Sequence, residues 1–301
     1  MKKVYLITGA NGFLGSNLFR YLKKKEPNSK IIKLPKKIDL TLSNKVNNYL
    51  KKIGKLDYIF HFAEVAGNKE WSKNNSFQQT TINLKINLNI ISAWKNYQPK
   101  AKFIFVSSIW SYPLGAKFLK EENYWKGEPN PDTIHFGYNK KIATILLESA
   151  KSNFNLKATT LILGTVYGPG DLSNHFIPTI IRRMKKENET LQVYGTGLES
   201  RDFIYIDDQI KGIFMHKDRN EEIINIGTGK LTSIKKIIEL SKKIMDYKGR
   251  IKYMKMNKSM DIKRGMSIYR AKKLTGWSNI NMFIKLEEGL KKTINDMLKY
   301  R

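Results

Sequence analysis

The chain has 301 residues, 41% of them hydrophobic, which suits one large domain or two tightly joined ones. It has no cysteine, so disulfides, thiolate metal sites and a cysteine nucleophile are excluded; the four histidines (His61, His135, His175 and His216) lack metal-ligand spacing. Lys and Arg number 55 against 26 Asp and Glu, a net charge of +29, but the lysines are scattered and no aromatic-interleaved basic strip accompanies them. The charge therefore reads as compositional bias that can steer an anionic small molecule, and no nucleic-acid partner is expected.

Val4–Ile7 is apolar, β-branched and aromatic, and predicts a buried parallel strand. The run stops at Gly9, glycines recur at Gly12 and Gly15, and Phe13, Leu14, Leu18 and Leu22 follow at helical spacing. Backbone N–H groups at such a helix start can face a pyrophosphate, so Gly9, Asn11, Gly12, Phe13, Leu14 and Gly15 are candidate cofactor contacts. A second strand is expected over Lys30–Leu34, then a helix capped by Ser43 that carries Val46, Tyr49, Leu50 and Ile53. Asp57–Ala63 reads as a third strand, Phe77–Trp94 as a helix and Phe103–Ser107 as a fourth strand. Ala143–Phe154 continues a long helix, and Ala158–Leu163 is a fifth strand. This alternation predicts an α/β fold, a Rossmann-type doubly wound parallel sheet, with ligands beyond the carboxyl ends of its strands.

The second half is less regular. Gly168-Pro169-Gly170 and Gly195-Thr196-Gly197 break the chain, Ile223–Ile226 reads as a strand, and helices are expected near Ser233–Met245 and Asn281–Leu298. The expected division is a cofactor domain over 1–163 plus about 201–226, and a smaller mixed substrate lobe over 164–200 and 227–301. No signal peptide or membrane-length apolar run is visible, so a cytoplasmic protein with no membrane partner is expected.

Further motifs align with the glycine loop: Asp57 to Ala63, Val106-Ser107-Ser108 with Tyr112 beyond, Phe136-Gly137-Tyr138-Asn139-Lys140, and Val166-Tyr167-Gly168-Pro169-Gly170. Then come Val193-Tyr194-Gly195-Thr196-Gly197, Arg201-Asp202-Phe203, Asn225-Ile226-Gly227-Thr228-Gly229 and Leu274-Thr275-Gly276-Trp277. Together these resemble the extended short-chain dehydrogenase/reductase family that modifies nucleotide sugars, the epimerase/dehydratase family, over nearly the whole chain. The resemblance implies a nicotinamide cofactor, a nucleotide-diphosphate sugar and a homodimer built on the helices near Phe77–Trp94 and Phe136. It implies that Lys140 holds the cofactor ribose and, with a tyrosine four residues earlier, faces the nicotinamide and the sugar, while Ser108 bonds the same sugar oxygen. It further implies cofactor contacts from Asp39, Leu40, Phe62, Ala63, Glu64, Leu163 and Val166. The substrate contacts it implies are Asn174, His175, Val193 and Tyr194, with Arg201 and Arg264 clamping the diphosphate.

The chain departs from that pattern at its chemical centre. Phe136 stands where the tyrosine is expected. It has the ring without the proton, and Tyr138 lies about 200° away around a helix. Phe136 is either a deliberate replacement that holds substrate in an intact site or the mark of a naturally impaired or repurposed homologue. Ile109 and Trp110 replace the acid pair of family dehydratases, and without cysteine the 3,5-epimerisation of the GDP-fucose synthase branch is disfavoured. Reduction of a 4-keto sugar nucleotide, a deoxysugar or heptose as in the abequose synthases, is the leading reading. Redox epimerisation with a retained NAD and a catalytically silent cofactor sensor are the alternatives. After the second strand come Lys33, Lys36 and Lys37 rather than an acidic residue, which favours NADP(H) over NAD(H).

Overall fold

The computed structural model describes residues 2–116, 118–187, 189–254, 263–277 and 283–299. In chain order, β1 (Val4–Thr8), α1 (Phe13–Lys25), β2 (Lys30–Lys33), α2 (Ser43–Lys52) and β3 (Tyr58–His61) come first. They are followed by α3 (Lys69–Asn74), α4 (Ser76–Tyr97), β4 (Lys102–Ser108), β5 (Phe118–Leu119), α5 (Ile134–Phe154) and β6 (Ala158–Leu163). The second half adds β7 (Thr165–Tyr167), α6 (Phe176–Lys186), β8 (Thr190–Tyr194), β9 (Ser200–Arg201), β10 (Phe203–Tyr205), α7 (Ile206–Met215) and β11 (Ile223–Ile226). β12 (Thr232–Ser233), α8 (Ile234–Ile244), β13 (Arg250–Met254), β14 (Lys263–Met266), α9 (Tyr269–Thr275) and α10 (Leu286–Lys299) complete it.

The chain divides into two compact units. The first comprises 1–112, 128–162 and 210–224. Its sheet is parallel and six-stranded, in the order β11-β6-β4-β3-β1-β2, the doubly wound architecture expected. Continuous apolar runs suit strands covered on both faces. Leu6, Ile59, Phe103 and Phe105 are fully buried, packed with Val46 and Leu50 of α2, Ile90 and Trp94 of α4, and Ala143 and Leu147 of α5. β1 pairs with β2 on one side and β3 on the other, so the winding reverses there, and the carboxyl ends of β1 and β3 frame a ligand crevice.

The second unit comprises 113–127, 163–209 and 225–301. Its strands are short. β5, β14, β9 and β12 form one small sheet, and β7–β10 and β8–β13 form two-stranded pairs. Residues 113–127 and 201–209 fall in this unit, where the sequence reading placed them in the first; pairing of β5 and β9 with β14, and of β10 with β7, holds them there. A second core of Ile180, Met184, Leu191, Val193, Ile238 and Tyr247 joins α6, β8 and α8. Ser43 is not the cap of α2: Leu42 occupies that place with no side-chain bond, and Ser43 opens the helix itself. Ser233 does cap α8, accepting the Lys236 N–H at 3.2 Å. The last helix begins at Leu286, and residues 281–282 of its expected start lie outside the described residues.

Candidate functional site

β1 ends in the glycine turn. Gly9 has φ +62°, and a Cβ there would meet the Ala63 nitrogen at 2.7 Å, so only glycine fits. Gly15 permits a second close approach: a Cβ there would meet the Gly9 carbonyl oxygen at 2.3 Å, so glycine lets α1 sit against the turn. α1 opens at Gly12 with no side-chain cap and no acidic residue in its first turn. N–H groups of that turn have no partner within the helix, and the helix dipole adds a positive end. Donors and charge therefore fit the pyrophosphate of a dinucleotide. Asn11 is exposed and Phe13 and Leu14 are half-buried along this lip.

The end of β3 is fixed by a buried polar chain. Thr8 Oγ1 accepts the Phe62 and Ala63 N–H groups, each at 3.1 Å, and lies 2.7 Å from His61 Nδ1. A hydroxyl that accepts twice gives its one proton to the third partner, so Nδ1 of His61 is the acceptor and its Nε2 carries the proton, donated to Asn87 Oδ1 at 3.0 Å. Burial pushes the His61 pKa down to about 4, and the charge of Lys140 adds to the effect, so the ring is neutral at physiological pH. Asn83 Oδ1 accepts the Val65 N–H at 2.8 Å, and the amides of Asn83 and Gln79 both donate to the Val65 carbonyl. The sequence reading missed this clamp. Its signal was present: Gln79, Asn83 and Asn87 recur every four residues along α4 and so share one face of it.

Ser108 closes β4, its hydroxyl 3.3 Å from the Trp110 N–H it accepts. Lys140, on α5, donates to the Val106 carbonyl at 2.9 Å, two residues short of Ser108 on the same strand. Its ammonium lies 5.7 Å from the centre of the Phe136 ring and 5.0 Å from that of Phe105. Glu64 completes the group by an ion pair with Lys140 that the sequence did not reveal. Tyr138 faces away, its hydroxyl 3.4 Å from Glu128. The fold thus places Lys140 near the Phe136 ring and bonds it to the strand that Ser108 closes, and it adds Glu64. At the far end of the crevice Asp39 is exposed, its carboxylate accepting from the backbone and hydroxyl of Thr41, bonds that hold its pKa below the usual range. Leu40 is buried in the core and offers only its backbone.

In the second unit, Arg201 on β9 and Arg264 on β14 are register partners in a parallel ladder. They stand side by side, 7% and 0% exposed. Guanidinium forks match phosphate oxygens, so two of them side by side could hold a diphosphate. Asp202 is committed elsewhere: its carboxylate accepts from the Thr228 and Gly229 N–H groups and the Thr228 hydroxyl, while burial raises its pKa. Asn174 and His175 are exposed just before α6, and Asn174 Oδ1 accepts from Arg182 at 3.1 Å. Alternation along β8 sends Val193 into the core and leaves Tyr194 72% exposed. Leu163 is buried at the end of β6, and Val166 is half-buried in β7.

The sequence pattern of the NAD dependent epimerase/dehydratase family matches residues 5–227. The chain belongs to that family. It is 27% identical over 303 residues to GDP-L-colitose synthase of Yersinia pseudotuberculosis, covering 96% of each chain. Its fold is similar to that of a GDP-6-OMe-4-keto-L-xylo-heptose reductase from Campylobacter jejuni, with TM-score 0.88, 23% identity, and coverage of 100% of this chain and 99% of that one. It is also similar to a GDP-mannoheptose C4 reductase from the same organism with NADP bound, with TM-score 0.85, 24% identity, and coverage of 99% and 98%. Members of the family are epimerases, dehydratases and reductases of nucleotide sugars, and this protein is an enzyme of that class. Among the described residues no cluster suits a metal ion, and no helix is long and apolar enough to cross a membrane.

Proposed function

We propose that the protein is an NADP(H)-dependent reductase of a 4-keto nucleotide-activated sugar, a deoxysugar or heptose destined for a surface polysaccharide. The observation that supports this reading is that Lys140 lies near the Phe136 ring and bonds β4 two residues before Ser108, in the same unit as the uncapped first turn of α1. A bound nicotinamide dinucleotide supplies hydride. The chain's own residues do the rest. The first turn of α1 holds the pyrophosphate, and Lys33, Lys36 and Lys37 receive the additional phosphate of NADP. Lys140 holds the ribose, Ser108 donates to the keto oxygen, and Arg201 and Arg264 hold the sugar's diphosphate.

Phe136 stands in the place of a proton-donating tyrosine, so the protein as it is turns over slowly. Loss of a general acid costs ~10²–10⁴-fold in rate. Phe136→Tyr is expected to raise NADPH oxidation by that factor with one member of a panel of 4-keto sugar nucleotides. No oxidation with any of them removes the reductase reading. A second reading, a catalytically silent protein that senses the cofactor, is favoured by Phe136 alone; it predicts dinucleotide binding with no turnover even after Phe136→Tyr.

The outward faces of α4 and α5 expose Leu88, and Tyr138, Ile142 and Ile145 at helical spacing, and α4 packs along α5. These exposed apolar residues support a homodimer through this face, and sedimentation of the wild type and of Leu88→Glu/Ile145→Glu tests it: dimer and monomer are expected, and a monomeric wild type removes it.

A further inference from the structure

Glu64 sits in the most tightly fixed stretch of the first unit. On one side, the N–H groups of Phe62 and Ala63 are held by Thr8. On the other, both backbone groups of Val65 are held by Asn83, with Gln79 sharing the carbonyl. The backbone of Glu64 is therefore pinned between two buried anchors, and its carboxylate is aimed at the Lys140 ammonium. The two side chains are 18% and 10% exposed. Around the ammonium stand the Phe105 and Phe136 rings and the Val106 carbonyl. An ammonium here without a carboxylate would add a full positive charge to a site from which water is largely excluded, where charge acts strongly. Glu64 cancels that charge.

The two forms of a nicotinamide dinucleotide differ by one charge at the ring: positive when oxidised, neutral when reduced. We propose that Glu64 sets the redox preference of the bound dinucleotide, raising affinity for the oxidised form relative to the reduced one. This rests on the reading above, in which Lys140 adjoins the nicotinamide. When the C4 hydride leaves with both electrons of its bond, positive charge is left on the ring and negative charge arrives on the keto oxygen. Glu64 makes the first of these less costly, so it is a specificity-determining residue for the dinucleotide and not a proton donor.

The test needs no turnover. Calorimetric titrations of the full chain with NADP⁺ and with NADPH give two dissociation constants, whose ratio is compared between wild type, Glu64→Gln and Glu64→Asp. The expected result is a rise in the ratio of oxidised to reduced Kd of about tenfold in Glu64→Gln, with Glu64→Asp within threefold of wild type. If Glu64→Gln does not fold, Lys140→Met, which leaves the carboxylate alone, is expected to lower the ratio about tenfold. An unchanged ratio, or two constants that weaken together as for a plain ribose contact, overturns the proposal and leaves the reductase reading standing. Failure of the folded wild type to bind either dinucleotide overturns both.

Discussion

Each end of the first unit's sheet buries a lysine, and only one end reads as a ligand site. At the amino ends of the strands, Lys102 opens β4 and donates to the Arg219 carbonyl and the Asn220 side chain. Burial pushes its pKa down to about 8, with the charge of Lys151 acting in the same direction. Beside it, Tyr58 donates to Asp218 at 2.6 Å and stacks on Tyr5, with Lys217 over its ring. At the carboxyl ends, Lys140 is as deeply buried, but it is ion-paired with Glu64, a carboxylate pinned by its own backbone, lies near the Phe136 ring and bonds the strand that Ser108 closes. A perturbed lysine therefore does not by itself mark chemistry. Both lysines close on groups of the chain itself, and what sets the carboxyl end apart is the first turn of α1, whose N–H groups have no partner within the helix.

Three experiments break or sharpen this contrast. The largest effect is the acid response of the carboxyl end. His61 is neutral when folded, with its pKa near 4 against an ordinary value of about 6.5, so the unfolded chain takes up the proton first. Its contribution is complete above pH 6.5, falls as pH drops through 6.5 to 4, and amounts to about 3 kcal/mol. Urea unfolding at pH 7 and pH 4 is expected to show this slope in the wild type and its loss in His61→Gln; equal slopes would detach His61 from the acid response. Next in size is Lys102→Met, which removes the bonds to the Arg219 carbonyl and the Asn220 side chain and is expected to cost about 1–2 kcal/mol of stability while leaving dinucleotide affinity within twofold. A tenfold change in affinity would mean that the amino end belongs to the site after all. The smallest is Tyr58→Phe, which removes one hydrogen bond to Asp218 and is expected to cost about 1 kcal/mol by thermal melting, again without effect on binding.

Much of this contrast was legible before the structure. The strands of the first sheet fell where apolar runs placed them, because a strand covered on both faces needs little besides continuous apolar side chains. The turn at Gly9 was legible because only glycine tolerates its backbone angles. Ser43 was misread because serine often caps helices, yet here the chain enters one residue earlier. The Gln79, Asn83 and Asn87 ladder was visible as spacing but had no assignable partner until β3 was folded against α4.

Local chain chemistry alone decided the strand segments of the first sheet, the glycine turn, the helix faces and the absence of the phenol at Phe136. Those depend on backbone angles and burial within a few residues of each position. Tertiary folding alone decided that Arg264 lies in register beside Arg201 and that Glu64 reaches Lys140. Contacts between residues distant in the chain depend on how strands pair and loops close, and no periodicity records that.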